Sequence, residues 1–337
     1  MVSLGGAAGS ALVGLAAPIF LTAYFEFPIA LVLTAALIWW QVRSQAGIFR
    51  AMAVGPILVT VVMATATVKS HLADAVTITR NFYGELRVVQ VADATNGPYR
   101  TLVNGTTIHG AQFLSSAFRR RATTYYTSTS GVGRLLDALD HRGPALRVGI
   151  IGLGAGTLAA YGRSGDTYRF YEIDPASIHV ANTDFTFLQD SRARIEIAQG
   201  DARLILEQEA PQQFDVLVVD AFSSDAIPVH LLTFEAVALY RRHLRNGGVI
   251  AFHLSNRFLD LGSEVAALAL AHKLRAFPIH DARSEGKLVV PSDWVLLTDA
   301  QTVIDGSEFG HSAQKVEVPR IVSLWTDDFN NLYQVLK

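Results

Sequence analysis

Five acidic residues and a run of glycines carry the chemistry legible in this 337-residue chain. Gly152, Gly154 and Gly156 lie in the segment Gly-Leu-Gly-Ala-Gly-Thr, directly behind the run Leu146 to Ile151, apolar but for Arg147. Such a turn lets backbone approach a ligand closely, and a helix that starts behind it offers unpaired N–H groups. The next run, Tyr168 to Ile173, ends in Glu172 and Asp174, and a carboxylate at that position can accept from both hydroxyls of a ribose. Arg194 to Ile197 leads into Gly200-Asp201-Ala202, where the acid can accept from an adenine amino group. Phe214 to Val219 then delivers Asp220, with Asp225 five residues on in the loop Asp-Ala-Phe-Ser-Ser-Asp. Four of these acids also have a structural explanation: a surface carboxylate for Glu172, a helix N-cap for Asp201, an Asp-Pro helix start for Asp174 and a loop turn for Asp225. Four successive strands that all end in ligand-type residues are hard to explain by those readings jointly.

The elements that must hold these residues follow from the pattern beyond Ser70, where short apolar runs alternate with amphipathic stretches. That alternation predicts an α/β, Rossmann-like, mostly parallel sheet. A small β region should precede it, with strands at Leu86 to Val91 and Arg100 to Val103, a turn at Asn104-Gly105 and a return at Thr106 to His109. The glycine order separates two nucleotide chemistries. A nicotinamide site has GxGxxG, whereas here Gly156 comes one position early, which together with Glu172 and Gly200-Asp201 favours an adenosylmethionine-type ligand.

Composition bounds the partners. Half the residues are hydrophobic and only 17% are charged, with a formal net charge of -2, so nothing gathers nucleic acid and none is expected as a partner. There are no cysteines, and the ten histidines show no paired metal spacing, so no metal is expected. From Leu4 to Trp40 the only charged residue is Glu26, and Ala51 to Val68 is apolar again beyond the linker Gln41 to Arg50. About three transmembrane spans are predicted, running a little short at roughly 15 to 21 residues against the 20 or so a bilayer demands. Trp39 and Trp40 suit an interfacial belt, and the Gly5, Gly6, Gly9 and Gly14 stripe suits close helix packing. The division expected is therefore 1–70 as a transmembrane helical region, 78–110 as the small β region and 111–337 as the Rossmann-like domain.

The segments RNFYGELRV, NGTTIHGAQF, TYYTSTSGVG, GIIGLGAGT, YEIDP, QGDAR, FDVLVVDAFSSDAIPVHLLT and HLSNRFLDL, spread over about Phe82 to Val335, resemble the polyamine aminopropyltransferases (spermidine synthases), in particular their membrane-fused bacterial relatives. That resemblance implies a class I methyltransferase-like fold and transfer of an aminopropyl group from decarboxylated S-adenosylmethionine to a putrescine-like amine. It implies Gly152, Gly154, Gly156, Glu172 and Asp201 on the nucleoside, and Asp220 and Asp225 on the acceptor side, where a carboxylate binds and deprotonates the attacking amine. Taking a proton from an alkylamine of pKa near 10 costs about 4 kcal/mol at pH 7, so a positioned carboxylate has a defined task. The cofactor's cytosolic origin implies a multi-pass inner-membrane protein with its transferase domain facing the cytoplasm, and a homodimer is compatible with the reading.

Three positions depart from the family pattern. Ala155 stands where the glycine turn usually has an Asp, the Asp220 to Asp225 loop is longer, and Tyr125, Tyr126 and Ser130 are the nearby candidates for the tyrosine segment before the first strand. Two alternatives therefore stay open: a methyltransferase using intact S-adenosylmethionine, and a non-catalytic membrane-tethered protein that binds a nucleoside or polyamine. His253, near the end of the apolar strand Val249 to Leu254, and Asn256 and Arg257 behind it can face the site, with His253 also explicable as a core residue.

Overall fold

A computed structural model of the chain describes residues 2–45, 47–94, 97–140, 143, 145–222, 227–285, 288–299 and 323–337. They divide between two compact units, residues 1–91 with 103–105, and residues 92–102 with 106–337.

The first unit opens with helix α1 (Val2–Ala11), a π-turn (Leu12–Ala16) and α2 (Ala17–Phe20), then α3 (Glu26–Val42) and α4 (Gly47–Leu72). The π-turn closes with Ala17 N–H on the Leu12 carbonyl, one residue before Pro18, which has no N–H to continue the regular ladder. Two of these helical runs, Ser3–Phe20 with 18 residues and Gly47–Leu72 with 26, are long and apolar enough to cross a membrane by length and composition; Glu26–Val42 is shorter. Three helical segments thus fall where three spans are expected, and two meet the length criterion. Their apolar side chains point outward: Leu12 is 64% exposed, Leu37 70% and Leu58 61%. The hydroxyls of Thr34, Thr60 and Thr65 each donate to the carbonyl four residues back, which satisfies them without water.

Strands β1 (Ala75–Asn81) and β2 (Gly84–Val91) pair antiparallel in the same unit. β1 is a strand beyond those read from the sequence. Charges are packed inside this unit: Arg80 grips Glu26 through two hydrogen bonds of 2.7 and 2.8 Å, and the two side chains are only 5% and 17% exposed. Glu85 accepts from the Tyr24 N–H at 2.9 Å and meets His71 at 2.7 Å. β3 (Tyr99–Asn104) and β4 (Thr107–Phe113) follow, with Gly105 between them at φ 59°, the left-handed conformation expected of the Asn-Gly turn.

In the second unit the elements run α5 (Gly131–Asp140), β5 (Arg147–Ile151), a 3₁₀ turn (Thr157–Tyr161), β6 (Thr167–Glu172), α6 (Pro175–Thr183), α7 (Phe187–Asp190), β7 (Arg194–Gln199), α8 (Ala202–Gln208) and β8 (Phe214–Val219). A 3₁₀ turn (Val229–Leu231), α9 (Phe234–His243), β9 (Leu244–His253), α10 (Gly262–Ala271), β10 (Arg275–Asp281), β11 (Ser292–Thr298) and a last 3₁₀ turn (Leu332–Val335) complete it. The seven-stranded sheet has the order β10-β11-β9-β8-β5-β6-β7. β9, β8, β5, β6 and β7 are parallel, and β11 and β10 extend the sheet antiparallel. Every residue of β8 is buried, as an apolar strand covered on both faces should be. One core layer gathers Val216, Val218 and Ala251 with Leu135 and Trp294; the other gathers Leu217, Val219 and Phe252 with Val237 and Tyr240.

Candidate functional site

From β5 the chain winds out through β6 and β7 on one side and then through β8 and β9 on the other, so the direction reverses between β5 and β8. Open parallel sheets hold ligands at such a reversal, outside the carboxyl ends of the strands. Read along that edge, the strand ends present His253, Asp220, Gly152, Glu172 and Gly200-Asp201 in spatial order β9, β8, β5, β6, β7.

The glycine turn is shaped by close packing as much as by openness. Gly152, Gly154 and Gly156 have φ of 100°, 53° and 79°, conformations that favour glycine. A Cβ on Gly152 would stand 2.5 Å from the Asp220 carbonyl oxygen, and one on Gly154 would stand 2.6 Å from that of His109. Strand β4 therefore lies directly against the turn. Gly110 of the same strand has no room for a Cβ because Ala155 Cβ would be 2.6 Å away, and Ala155 is 1% exposed. Behind the turn stands only a five-residue 3₁₀ segment, Thr157–Tyr161, where the sequence suggested a helix.

Glu172 is 9% exposed, with both carboxylate oxygens held by backbone: Oε2 accepts from Leu153 N–H at 3.0 Å and Oε1 from Asp174 N–H at 2.8 Å. Burial pushes its carboxyl up to about 7 even against those hydrogen bonds. Each oxygen retains a second lone pair, which suits a ligand hydroxyl. Asp174 caps α6 by accepting from Ala176 N–H at 2.8 Å. Asp201 caps α8 through Leu204 N–H at 3.0 Å, while its other oxygen lies 3.3 Å from His230 Nε2. The helix-start reading thus describes Asp174, and Asp201 combines a cap with a second oxygen on the same edge.

Asp220 follows β8, and its side chain is 4% exposed. Oδ2 accepts a very short hydrogen bond from the Tyr126 hydroxyl, and Oδ1 lies 2.7 Å from His253 Nδ1. His253 Nε2 in turn lies 2.8 Å from Ser255 Oγ, which accepts from the Asp293 N–H at 2.9 Å. Trp294 stacks on the His253 ring at 4.5 Å and 15°, and Tyr125 and Phe222 pack on it at 4.5 and 5.0 Å. Burial, with the Asp220 carboxylate next in importance, holds the Tyr126 phenol far above its ordinary range, so Tyr126 donates. Sequence reasoning reached Asp220, Tyr126 and His253 separately; that Asp220 and His253 touch follows from the parallel pairing of β8 with β9, and the pairing of β11 with β9 sets Trp294 opposite His253. Asn256 turns away to cap the loop at Phe258 and Leu259, Arg257 is exposed, and Asp225 lies outside the described residues. Among the described residues no group of acidic and histidine side chains has metal-site geometry.

No family model matches the chain. It is 32% identical over 111 residues to a polyamine aminopropyltransferase of Vibrio vulnificus (strain CMCP6), covering 31% of this chain and 36% of that protein. It is 30% identical over 175 residues to a putative O-methyltransferase of Mycobacterium marinum (strain ATCC BAA-535 / M), covering 50% of this chain and 75% of that protein. A solved structure of a probable spermidine synthase from Corynebacterium glutamicum ATCC 13032 aligns with 64% of this chain and 77% of its own, at 18% identity and a TM-score of 0.49. The chain belongs to the class I methyltransferase-like transferases. Among its relatives is the aminopropyltransferase above, of which the chain spans just over a third.

Proposed function

We propose that the chain is a membrane-anchored aminopropyltransferase that moves an aminopropyl group from decarboxylated S-adenosylmethionine to a putrescine-like amine. The observation that carries this reading is the surrounding of Asp220: a buried carboxylate next to the glycine turn, with Tyr125, Tyr126, Phe222 and Trp294 grouped about it and its histidine partner. A carboxylate among aromatic faces suits an alkylammonium ion, which gains from both the charge and the ring quadrupoles. A neutral hydroxyl acceptor would gain little there. The sulfonium co-substrate supplies an activated carbon; Glu172 and Asp201 would hold its ribose and adenine, with Gly152, Gly154 and Gly156 giving backbone room. Decarboxylation removes the need for a cationic partner to an amino-acid carboxylate, and the exposed Arg257 is the one candidate for that role the sequence suggested.

A methyltransferase is the second reading, favoured by Ala155. Its Cβ is packed toward Gly110, so position 155 offers no carboxylate to an aminopropyl ammonium. The membrane attachment proposed is multi-pass, through the apolar helices between Ser3 and Leu72, in the inner membrane with the transferase domain on the cytoplasmic side. A lipid bilayer is then the partner of the first unit, and a homodimer is compatible with the arrangement.

The test is a product assay on full-length protein in detergent, supplied in parallel with putrescine plus decarboxylated S-adenosylmethionine and with the intact cofactor. Aminopropylated amine is expected in the first reaction; methylated product from the second alone would replace this reading by the methyltransferase. Glu172→Gln removes the ionic acceptor and should weaken nucleoside binding by roughly 10- to 150-fold in calorimetric titration, the equivalent of about 1.5 to 3 kcal/mol. Because Glu172 titrates near 7, wild-type affinity should also fall as the pH drops below that value, and the Gln variant should lose this pH dependence.

A further inference from the structure

Both oxygens of Asp220 are taken by buried partners, and its side chain is only 4% exposed; His253 is equally enclosed at 3%. Of the three groups in line, Ser255 is the one that is not buried. An ionised carboxylate can only accept, so Tyr126 O–H and His253 Nδ1–H must both be donors to it. That leaves Nε2 of a neutral His253 bare. Ser255 Oγ already accepts from the Asp293 N–H, and its own proton points the one useful way, to Nε2 at 2.8 Å. Serine, histidine and carboxylate thus form a directed chain in which a base is oriented by an acid and reached through a hydroxyl.

We infer that Ser255, His253 and Asp220 act as one proton-accepting unit, in which the proton lost by the attacking amine comes to rest on His253 and Asp220 serves as its fixed counter-ion. This rests on the amine-acceptor reading above. The step balances without any further reactant: as the amine nitrogen forms its bond to carbon and the carbon–sulfur bond breaks, an N–H proton passes to Ser255 Oγ while the Ser255 hydroxyl proton passes to His253 Nε2. Serine is left unchanged, His253 becomes an imidazolium against the Asp220 carboxylate, and the thioether leaves neutral. Asp220 need not give up either of its donors. His253 is stacked on Trp294 and bonded at both nitrogens, so neither the ring's plane nor its tautomer is free to vary.

Two measurements on the full-length protein in detergent test this. Nitrogen-15 histidine spectra, with the His253 signal assigned by its loss in His253→Gln, should show a neutral ring protonated at Nδ1 with a low-field proton; a ring protonated at Nε2 instead overturns the inference. In the transfer assay His253→Gln should lower kcat at pH 7 by about 100- to 10,000-fold with the amine KM little changed, and its rate should climb about tenfold per pH unit as solution supplies neutral amine. Ser255→Ala should lower kcat about tenfold or more, and Ser255→Thr, which keeps the hydroxyl, should restore most of it. Full activity of His253→Gln at pH 7 would also overturn the inference. If wild-type protein aminopropylates no amine, the functional reading fails and the proton's source with it, an outcome set apart from the others by a His253 signal that remains as expected.

Discussion

The two compact units obey opposite rules of burial. In the second, Val216, Val218 and Phe252 are fully buried. In the first, Leu12, Leu37 and Leu58 are more than 60% exposed, while Glu26 and Arg80 are packed together inside. Apolar surface of this extent is not stable in water, and an enclosed ion pair needs close hydrogen bonding to offset its desolvation. Under the membrane attachment proposed above, one physical rule, matching surface to solvent, accounts for both patterns. Two observations agree with it: the threonine hydroxyls of α3 and α4 turn to their own helix carbonyls, and Arg80 uses two guanidinium nitrogens on one carboxylate while stacking over Tyr24 at 4.2 Å.

The strongest challenge to this inversion is to break the enclosed pair. Arg80→Met should leave Glu26 charged and unpartnered and lower the stability of the detergent-solubilised protein by about 3 kcal/mol or more, whereas Arg80→Met with Glu26→Gln should recover most of the loss. A loss below 1 kcal/mol in thermal unfolding would mean that the pair is solvated. A charge on the outward face sharpens the contrast between solvents. Val59 is 57% exposed near the middle of α4, so in water Val59→Arg would change little, but in a bilayer it should cost about 2.5 to 3.5 kcal/mol of insertion and reduce the membrane-integrated fraction. Unchanged recovery in the membrane fraction would remove the bilayer as the first unit's solvent.

The smallest effect is expected in the second unit, at Glu264. This residue is fully buried on α10 and accepts from Trp325 N–H at 2.8 Å, and burial pushes its carboxyl up to about 7. A carboxyl whose folded pKa is raised contributes stability that is complete below its unfolded value near 4.5 and is lost as pH rises through 7. Glu264→Gln should therefore be near neutral at pH 4.5 and more stable than wild type by about 1 to 3 kcal/mol at pH 8. Denaturant midpoints that differ equally at both pH values would show that Glu264 is not titrating.

Much of the fold was legible locally. A continuous apolar run such as Val216 to Val219 has few options besides a strand covered on both faces, and Asp174-Pro175 starts a helix because proline fits its first turn and the acid caps it. The helix expected after the glycine turn is a 3₁₀ segment, since the run from Thr157 to Gly162 is too short for a packed helix before the chain returns to β6. β1 escaped notice because its alternation, Ala-Val-Thr-Ile-Thr-Arg-Asn, is interrupted by polar residues and gains its place only by pairing with β2.

For the site, the sequence by itself determined which residues end the parallel strands, because each strand's apolar run must stop where the sheet meets the crevice: Gly152, Glu172, Asp201 and Asp220 could be named from that alone. What only the tertiary structure decided is who touches whom. Tyr126 and Asp220 are 94 residues apart, and His253 and Asp220 are 33 apart. Strand order and register, which no local pattern encodes, set β9 beside β8 and Trp294 across from His253. The same holds for the glycines: their presence was readable, but it took β4 lying against the turn to give the reason, since a side chain at Gly154 would meet the carbonyl of His109, a residue 45 positions earlier whose approach depends on the folded chain.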